Sequence, residues 1–142
     1  MENLTALLHR VPLFKGAEKE NIDRLLATGE VRAYAAGESL SGGAKCLGVL
    51  ISGTAAVLST DRGRTVLLRT LAAGDVFGAA ALFCPEDLPL SRIEASSSCS
   101  VLFFPFSAID DLLARDPACR NAYLRFLSGR IRFLNRKICC FT

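Results

Sequence analysis

A glycine-led segment in the middle of the chain carries the residues best suited to bind a small ligand. Residues 77–83, with the sequence FGAAALF, follow a strand-like run and a turn at residues 73–75, and they are typical of one short helical turn. The first backbone N–H groups of a helix have no partner within the helix, so they suit an anion. We therefore expect Gly78, Ala79 and Ala80 to form the floor of an anion-binding site.

Two arginines flank this segment in the sequence. Arg69 alternates in phase with Leu67 and Leu71, and if this face of the strand points inward, its guanidinium needs a carboxylate or a bound anion. It would then help to hold the ligand, and Arg92, just past the segment, is a second candidate. The alternative is that Arg69 pairs with an internal carboxylate such as Glu94 or reaches solvent.

The residue types needed for catalysis or metal binding are scarce. The chain has one histidine, His9, whereas metal enzymes built on small β-rolls use two or three histidines and a carboxylate. There is no G-x-S-x-G, no Walker motif and no G-x-G-x-x-G. We therefore expect a protein that is not an enzyme and that has no metal or other cofactor.

The cysteines do not form a ligand or disulfide pattern. Six are present, with no C-x-x-C spacing, at positions 46, 84, 99, 119, 139 and 140. We interpret them mainly as reduced thiols of the core or near-surface. The alternative is a thiol sensor or metal site at Cys139 and Cys140, although adjacent cysteines bond each other only with strain.

Composition and charge narrow the class of protein further. The chain has 142 residues, of which 51% are hydrophobic, which is enough for one domain with a full core and an attached element. No apolar run reaches about 18 residues, and the first residues lack the features of a signal peptide, so we expect a cytoplasmic protein without a membrane span. The net charge is +3, and from Arg120 onward there are six basic residues and no acidic one.

The elements that must position these residues follow from hydrophobic periodicity and turn signals. Helices are predicted over Glu2–Phe14, broken near Pro12, and over Ala17–Thr28. Short apolar runs punctuated by glycines then indicate an all-β sandwich or roll, with Asp61-Arg62-Gly63 as a hairpin. The predicted strands are Val31–Ala35, Leu47–Ser52, Thr54–Thr60, Thr65–Leu71 and Ser98–Phe104.

The helical period returns after Pro105. Ser107 is predicted to cap a helix over Ala108–Arg115, with Asp110 and Asp111 in its first turn, where their charge suits the helix dipole.

A long final helix is predicted from Pro117 to about Ile138. Its leucines and isoleucines follow the a/d spacing of a coiled coil, and they are Leu124, Leu127, Ile131, Leu134 and Ile138. We expect this seam to pair with the same helix of a second subunit, and a second stripe, Phe126 and Phe133, to pack on the β-roll. The alternative is a helix buried entirely on its own domain.

The order of these elements resembles the sensor domain of the Crp/Fnr superfamily of bacterial transcription regulators. The segments that carry the resemblance are Val11–Phe14, Ala36–Glu38, Ile51–Val57, Leu71–Gly78 and Phe126–Lys137. It implies a mainly β fold with flanking helices: a double-stranded β-helix, or jelly roll, of the cyclic-nucleotide-binding type over residues 1–116, followed by a dimerisation helix over 117–142.

The resemblance also implies where a cyclic nucleotide would be held, and the matching positions lack the required side chains. A ribose-binding glutamate falls on Ala79, and the Arg-Ser pair that holds the cyclic phosphate falls on Pro89 and Leu90. A polar strand contact falls on Arg69, on the strand face that the resemblance points inward. Two adenine-facing hydroxyl positions fall on Leu127 and Ser128. We therefore expect that cyclic AMP does not bind, and that another small effector, such as an anion or a carboxylate, takes its place.

The function implied is that of an effector-sensing, dimerising domain, with Leu127 carrying the coupling between ligand and dimer seam. In such regulators DNA is read by a helix-turn-helix domain beyond the long helix, and we expect that domain to lie outside this sequence. Oxygen-sensing members hold an iron–sulfur cluster on cysteines near the N-terminus, whereas no cysteine precedes Cys46 here. The alternative is a β-roll without ligand that acts only by dimerising.

Overall fold

A computed structural model of the chain describes residues 4–40, 45–82 and 92–140, and it describes their side chains except at 60, 61, 80, 81 and 130–140. The helices are α1 (Leu4–Arg10), α2 (Lys19–Leu26), α3 (Ala79–Leu82), α4 (Phe106–Arg115) and α5 (Pro117–Cys140), with a 3₁₀ turn at Pro12–Phe14. The strands are β1 (Glu30–Tyr34), β2 (Cys46–Ser52), β3 (Ala55–Asp61), β4 (Arg64–Leu71), β5 (Val76–Phe77), β6 (Arg92–Ala95) and β7 (Cys99–Pro105).

The strands form two antiparallel sheets that face each other. The first sheet has the order β1-β7-β2-β5 and the second has the order β4-β3-β6. The predicted β-roll is therefore confirmed, and so is each of the five predicted strands to within about two residues. The two strands that the sequence did not predict, β5 and β6, have two and four residues, too few to show a period.

Alternation along β7 divides the core into two clusters. Cys99, Val101 and Phe103 face the opposite sheet. Inside the roll they pack with Leu50 of the same sheet and with Leu71 of the opposite sheet. The intervening residues of β7 face the other way. They join the helices in a second cluster that includes Leu102, Phe104, Phe14, Ile109 and Tyr123. A strand buried on both faces is apolar throughout, which explains why this stretch gave a strong strand signal.

The hairpin between β3 and β4 forms where the sequence predicted it. Arg62 and Gly63 both have positive φ, +52° and +77°, which is the type I′ geometry that matches the twist of the flanking strands. A Cβ added to Gly63 would meet no atom within 4 Å. The glycine is therefore required by the backbone conformation and not by packing.

The start of α4 differs from the prediction. The helix begins at Phe106 with Pro105 as its N-cap residue, and no side chain caps it. Ser107 therefore lies inside the helix, and its first turn contains no acidic residue. Proline locks φ near the value that suits the approach to a helix, and this decided the boundary in place of a serine cap.

Candidate functional site

The turn before α3 is fixed by backbone hydrogen bonds to β2. The carboxylate of Asp75 accepts from Ala72 N–H at 2.8 Å, which closes the turn. Gly74 N–H donates to Leu50 O at 2.8 Å, and Leu50 N–H donates to Asp75 O at 2.9 Å. These bonds hold the chain against the edge of the first sheet, and β5 then pairs with β2 at Val76 and Val49.

Gly78 makes the change from strand to helix possible. Its φ is +84°, and a Cβ at this position would lie 2.8 Å from the carbonyl oxygen of Cys46. Both the conformation and the space exclude a side chain here. Leu82 N–H then donates to Gly78 O at 3.0 Å and completes the single turn of α3. The predicted helical turn after a glycine is confirmed.

Ala79, where the resemblance would put a ribose-binding carboxylate, is buried in the core. Its exposed fraction is 4%, and it packs in the cluster between the first sheet and the helices. Its carbonyl oxygen accepts a hydrogen bond from the Tyr123 hydroxyl at 2.5 Å. Tyr123 is 2% exposed, and burial is the main cause that raises the pKa of its phenol.

Tyr123 is a residue of this site that the sequence reasoning missed. It lies on α5, 44 residues beyond Ala79, and no local pattern links the two. The available signal was its spacing from Phe126 and Leu127, which places the three on one helical face with the buried Cys119.

Arg69 is half-buried and lies beside the candidate site. Its Nη2 donates to the carbonyl oxygen of Val76 at 2.9 Å, so the guanidinium joins β4 of the second sheet to β5 of the first. The alternative partner Glu94 is instead 3.9 Å from Arg92 Nη2, in an exposed ion pair on β6.

The inward phase predicted for Arg69 with Leu67 and Leu71 is wrong for Leu67. The pairing of β3 with β4 shifts register between Val57 and Leu58, so that Arg69 lies opposite Val57 and Leu67 lies opposite Leu58. This irregularity breaks the alternation. Leu71 is buried, whereas Leu67 is 55% exposed.

The remaining predicted site residues lie in different environments. Arg92 is exposed and Ser128 is exposed, while Leu127 packs with Phe126 against the cluster between the first sheet and the helices. Leu90 and Pro89 lie outside the described residues. The predicted packing of Phe126 on the body of the domain is confirmed. The side chain of Phe133 is not among those that the structure describes.

The described thiols have the character of packed core groups. Cys46, Cys99 and Cys119 are free, and burial raises the pKa of each. Cys119 donates to Leu13 O at 3.1 Å, and its pKa rises to about 12, mainly through burial and also through the charge of Asp116. Cys84, Cys139 and Cys140 are not among the side chains described.

Within residues 4–40, 45–82 and 92–140, no three His, Cys, Asp or Glu side chains lie together as a metal site would require. His9 uses its Nδ1 in a contact with Thr5 O at 2.9 Å. A groove of about 60 Å³ between α2 and α4 is lined partly by Arg24, Asp111 and Arg115, and it includes none of the predicted ligand residues. Over the same ranges no helix has the length and apolar character of a transmembrane span.

The fold and the glycine-led turn together define a class: a β-roll of the cyclic-nucleotide-binding type with a long C-terminal helix. The sequence profile of the cyclic nucleotide-binding domain matches residues 31–116. The chain therefore belongs to the cyclic nucleotide-binding domain family. A search of curated proteins found no matching sequence.

Several solved structures share the fold. The sensor domain of the transcriptional regulator DNR from Pseudomonas aeruginosa superposes with a TM-score of 0.80 at 22% identity, over 95% of this chain and 91% of that one. Catabolite Activator Protein from Thermus thermophilus gives 0.80 at 23% identity, over 92% and 62%. The regulatory domain of Toxoplasma gondii PKA with cAMP gives 0.70 at 18% identity, over 77% and 42%. The predicted fold of the cyclic-nucleotide-binding type is thus confirmed, and the DNR sensor domain shares it.

Proposed function

We propose that this chain is the effector-sensing and dimerisation domain of a Crp/Fnr-type transcription regulator, that it is not an enzyme, and that it does not bind cyclic AMP. The family membership and the fold support a sensor domain. The observation that supports the absence of cyclic AMP binding is Ala79. By the resemblance, this buried methyl group stands at the position where a cyclic nucleotide would need a carboxylate.

The chemistry of the cyclic nucleotide explains why these replacements matter. In a closed site the phosphate and the ribose hydroxyl of a cyclic nucleotide are held by charge-assisted hydrogen bonds, each of which contributes about 1.5–3 kcal/mol. By the resemblance, Ala79, Pro89 and Leu90 replace the carboxylate, the guanidinium and the hydroxyl that would make such bonds. Losing all three lowers the affinity by several orders of magnitude on this estimate.

The effector we propose is a small anion or carboxylate held by the Ala79 and Ala80 N–H groups and Arg69. The Arg69 guanidinium donates to the carbonyl oxygen of Val76, which lies three residues before Ala79, the first residue of α3. Three residues of chain span at most about 10 Å, so the guanidinium is close to the start of α3. The guanidinium is half-buried, where an anion interacts with it more strongly than in water.

The test is a thermal-shift screen followed by titration calorimetry, with cyclic AMP, cyclic GMP and a panel of small metabolite anions. Cyclic AMP should give no shift, and at least one anion should raise the melting temperature. Arg69→Ala should abolish that ligand-linked shift, whereas Arg64→Ala, an exposed arginine on the same strand, should keep it. Micromolar binding of cyclic AMP would overturn the proposal.

A second candidate function is a β-roll that binds no effector and works by dimerising. The bond from Arg69 to Val76 favours it, because the guanidinium already has an internal acceptor. In that case no compound in the screen shifts the melting temperature, and Arg69→Ala lowers only the basal value.

We also propose a homodimer formed through α5, a cytoplasmic location, and contact with DNA only through a further domain of the full-length regulator. Leu124 supports the dimer. It is 56% exposed, while Tyr123 beside it is 2% exposed, so α5 presents a leucine of the predicted seam away from its own domain. The side chains of Ile131, Leu134 and Ile138 lie outside the description.

A further inference from the structure

One buried hydrogen bond joins the first half of α5 directly to the turn that we propose contacts the effector. The Tyr123 hydroxyl donates to Ala79 O at 2.5 Å, and both residues are nearly inaccessible, at 2% and 4% exposed. Ala79 is the first residue of a helix of four residues. A shift of α3 by more than about 1 Å would take this bond outside hydrogen-bond geometry.

A second buried hydrogen bond, one turn earlier on α5, joins this helix to the N-terminal part of the chain. Cys119 Sγ donates to Leu13 O at 3.1 Å, in the 3₁₀ turn, and it is also fully buried. Cys119 and Tyr123 are four residues apart and therefore share a face of α5. One of them attaches the helix to the N-terminal part of the chain, and the other attaches it to the turn that would contact an effector.

We propose that the Tyr123 hydroxyl is the positioning group through which α3 and the part of α5 beyond Tyr123 move together. This assigns the coupling to Tyr123 and not to Leu127, whose side chain makes only apolar packing contacts in the described structure. A buried carbonyl that loses its donor is costly, so α3 cannot shift without either moving α5 or breaking this bond. This inference rests on the proposed function only in one respect, namely that a bound effector is what would shift α3.

The first test is native-state amide hydrogen exchange on Tyr123→Phe, which removes the hydroxyl and keeps the ring. We expect exchange to accelerate about threefold to tenfold at Leu82 in α3 and over residues 124–129 in α5. Amides of β2 and β7 should keep the rates of the original protein. Equal acceleration in all elements, or no change at Leu82, would overturn the proposal.

Cys119→Ala is the matched control. It removes a side-chain bond from the same face of α5, so its effect should appear at Phe14 in the 3₁₀ turn and leave Leu82 unchanged. If Cys119→Ala accelerated Leu82 as much as Tyr123→Phe does, the link would not be specific to Tyr123, and the proposal would fail.

A double-mutant comparison tests the transmission itself. Ala79→Gly loosens α3 through backbone entropy, and it should accelerate exchange over residues 124–129 when Tyr123 is present. In the Tyr123→Phe background the same substitution should have no further effect on α5. An equal effect in both backgrounds would contradict the link. A screen that finds no effector would remove the sensing function but leave these exchange results unaffected.

Discussion

At the scale of single residues, Asp116 shows how a carboxylate can be buried and remain charged. It is 3% exposed and accepts from Glu18 N–H at 2.9 Å, Asn21 Nδ2 at 3.0 Å and Cys119 N–H at 3.1 Å. Burial alone would raise the pKa of Asp116, but these hydrogen bonds outweigh it and hold the pKa below its ordinary value. The side chain thereby joins the start of α2 to the start of α5.

We predict that Asp116→Asn destabilises the domain by about 1–3 kcal/mol, because the amide group turns a donor toward N–H groups that need an acceptor. Urea denaturation with an unchanged slope measures this. Asp111→Asn is the matched control. Asp111 is 47% exposed and pairs with Arg115 at 3.0 Å, so this change should cost less than about 1 kcal/mol. Equal losses of unfolding free energy in the two variants would contradict the stabilising role assigned to the buried carboxylate of Asp116.

The same carboxylate predicts an acid dependence. The folded pKa of Asp116 lies below its unfolded value, so its contribution to stability is fully present above the unfolded pKa and is lost as the pH falls through the folded pKa. The difference in stability between the original protein and Asp116→Asn should therefore shrink on acidification. A difference that stays constant between neutral and strongly acidic pH would argue against a charged Asp116.

At the scale of elements, the β3–β4 hairpin followed from the sequence, whereas the irregular pairing within it did not. A turn of two residues in left-handed conformations needs glycine or a similar residue, and Gly63 supplied that signal. The register shift at Val57 and Leu58 has no such local signature, because it depends on how two strands pair. Leu67 was mispredicted because both faces of this part of β4 are exposed, with Val66 at 52%, Leu67 at 55% and Leu68 at 46%.

Two substitutions in this turn should have opposite effects on stability. Gly63→Ala should cost about 1 kcal/mol, since the open space around it leaves only the backbone penalty of the left-handed conformation. Arg62→Asn should stabilise by about 0.5 kcal/mol, because asparagine tolerates that conformation better than arginine. Urea denaturation measures both, and a loss of stability in Arg62→Asn would argue against the type I′ turn.

At the scale of the whole molecule, α5 has an inner face that packs on the domain and an outer face that is exposed. Its inner face, with Cys119, Tyr123, Phe126 and Leu127, packs on the body of the domain. Leu127, which the heptad spacing assigned to the seam between subunits, is half-buried and contacts the cluster between the first sheet and the helices. Leu124 remains exposed and is the described part of the proposed dimer surface.

We predict that Leu124→Glu weakens the homodimer at least tenfold, because a charge would be buried in an apolar seam. Sedimentation velocity over a range of concentrations measures the change. Val31→Glu places the same charge on a side chain that is 54% exposed on β1, outside α5, and it should leave the dimer intact. A dimer of unchanged strength in Leu124→Glu would exclude α5 as the interface.

The sequence by itself determined the β-roll, its hairpin, the glycine-led turn and the long final helix. Each depends on a local cause: a hydrophobic period, a positive φ or a proline. Only the tertiary structure decided that Tyr123 holds Ala79, that Arg69 donates to Val76 and that Asp116 joins two helix starts, because each of these bonds forms between distant segments or across a turn. Such bonds depend on how packed elements meet, and this information is spread over the whole chain and not contained in any one segment.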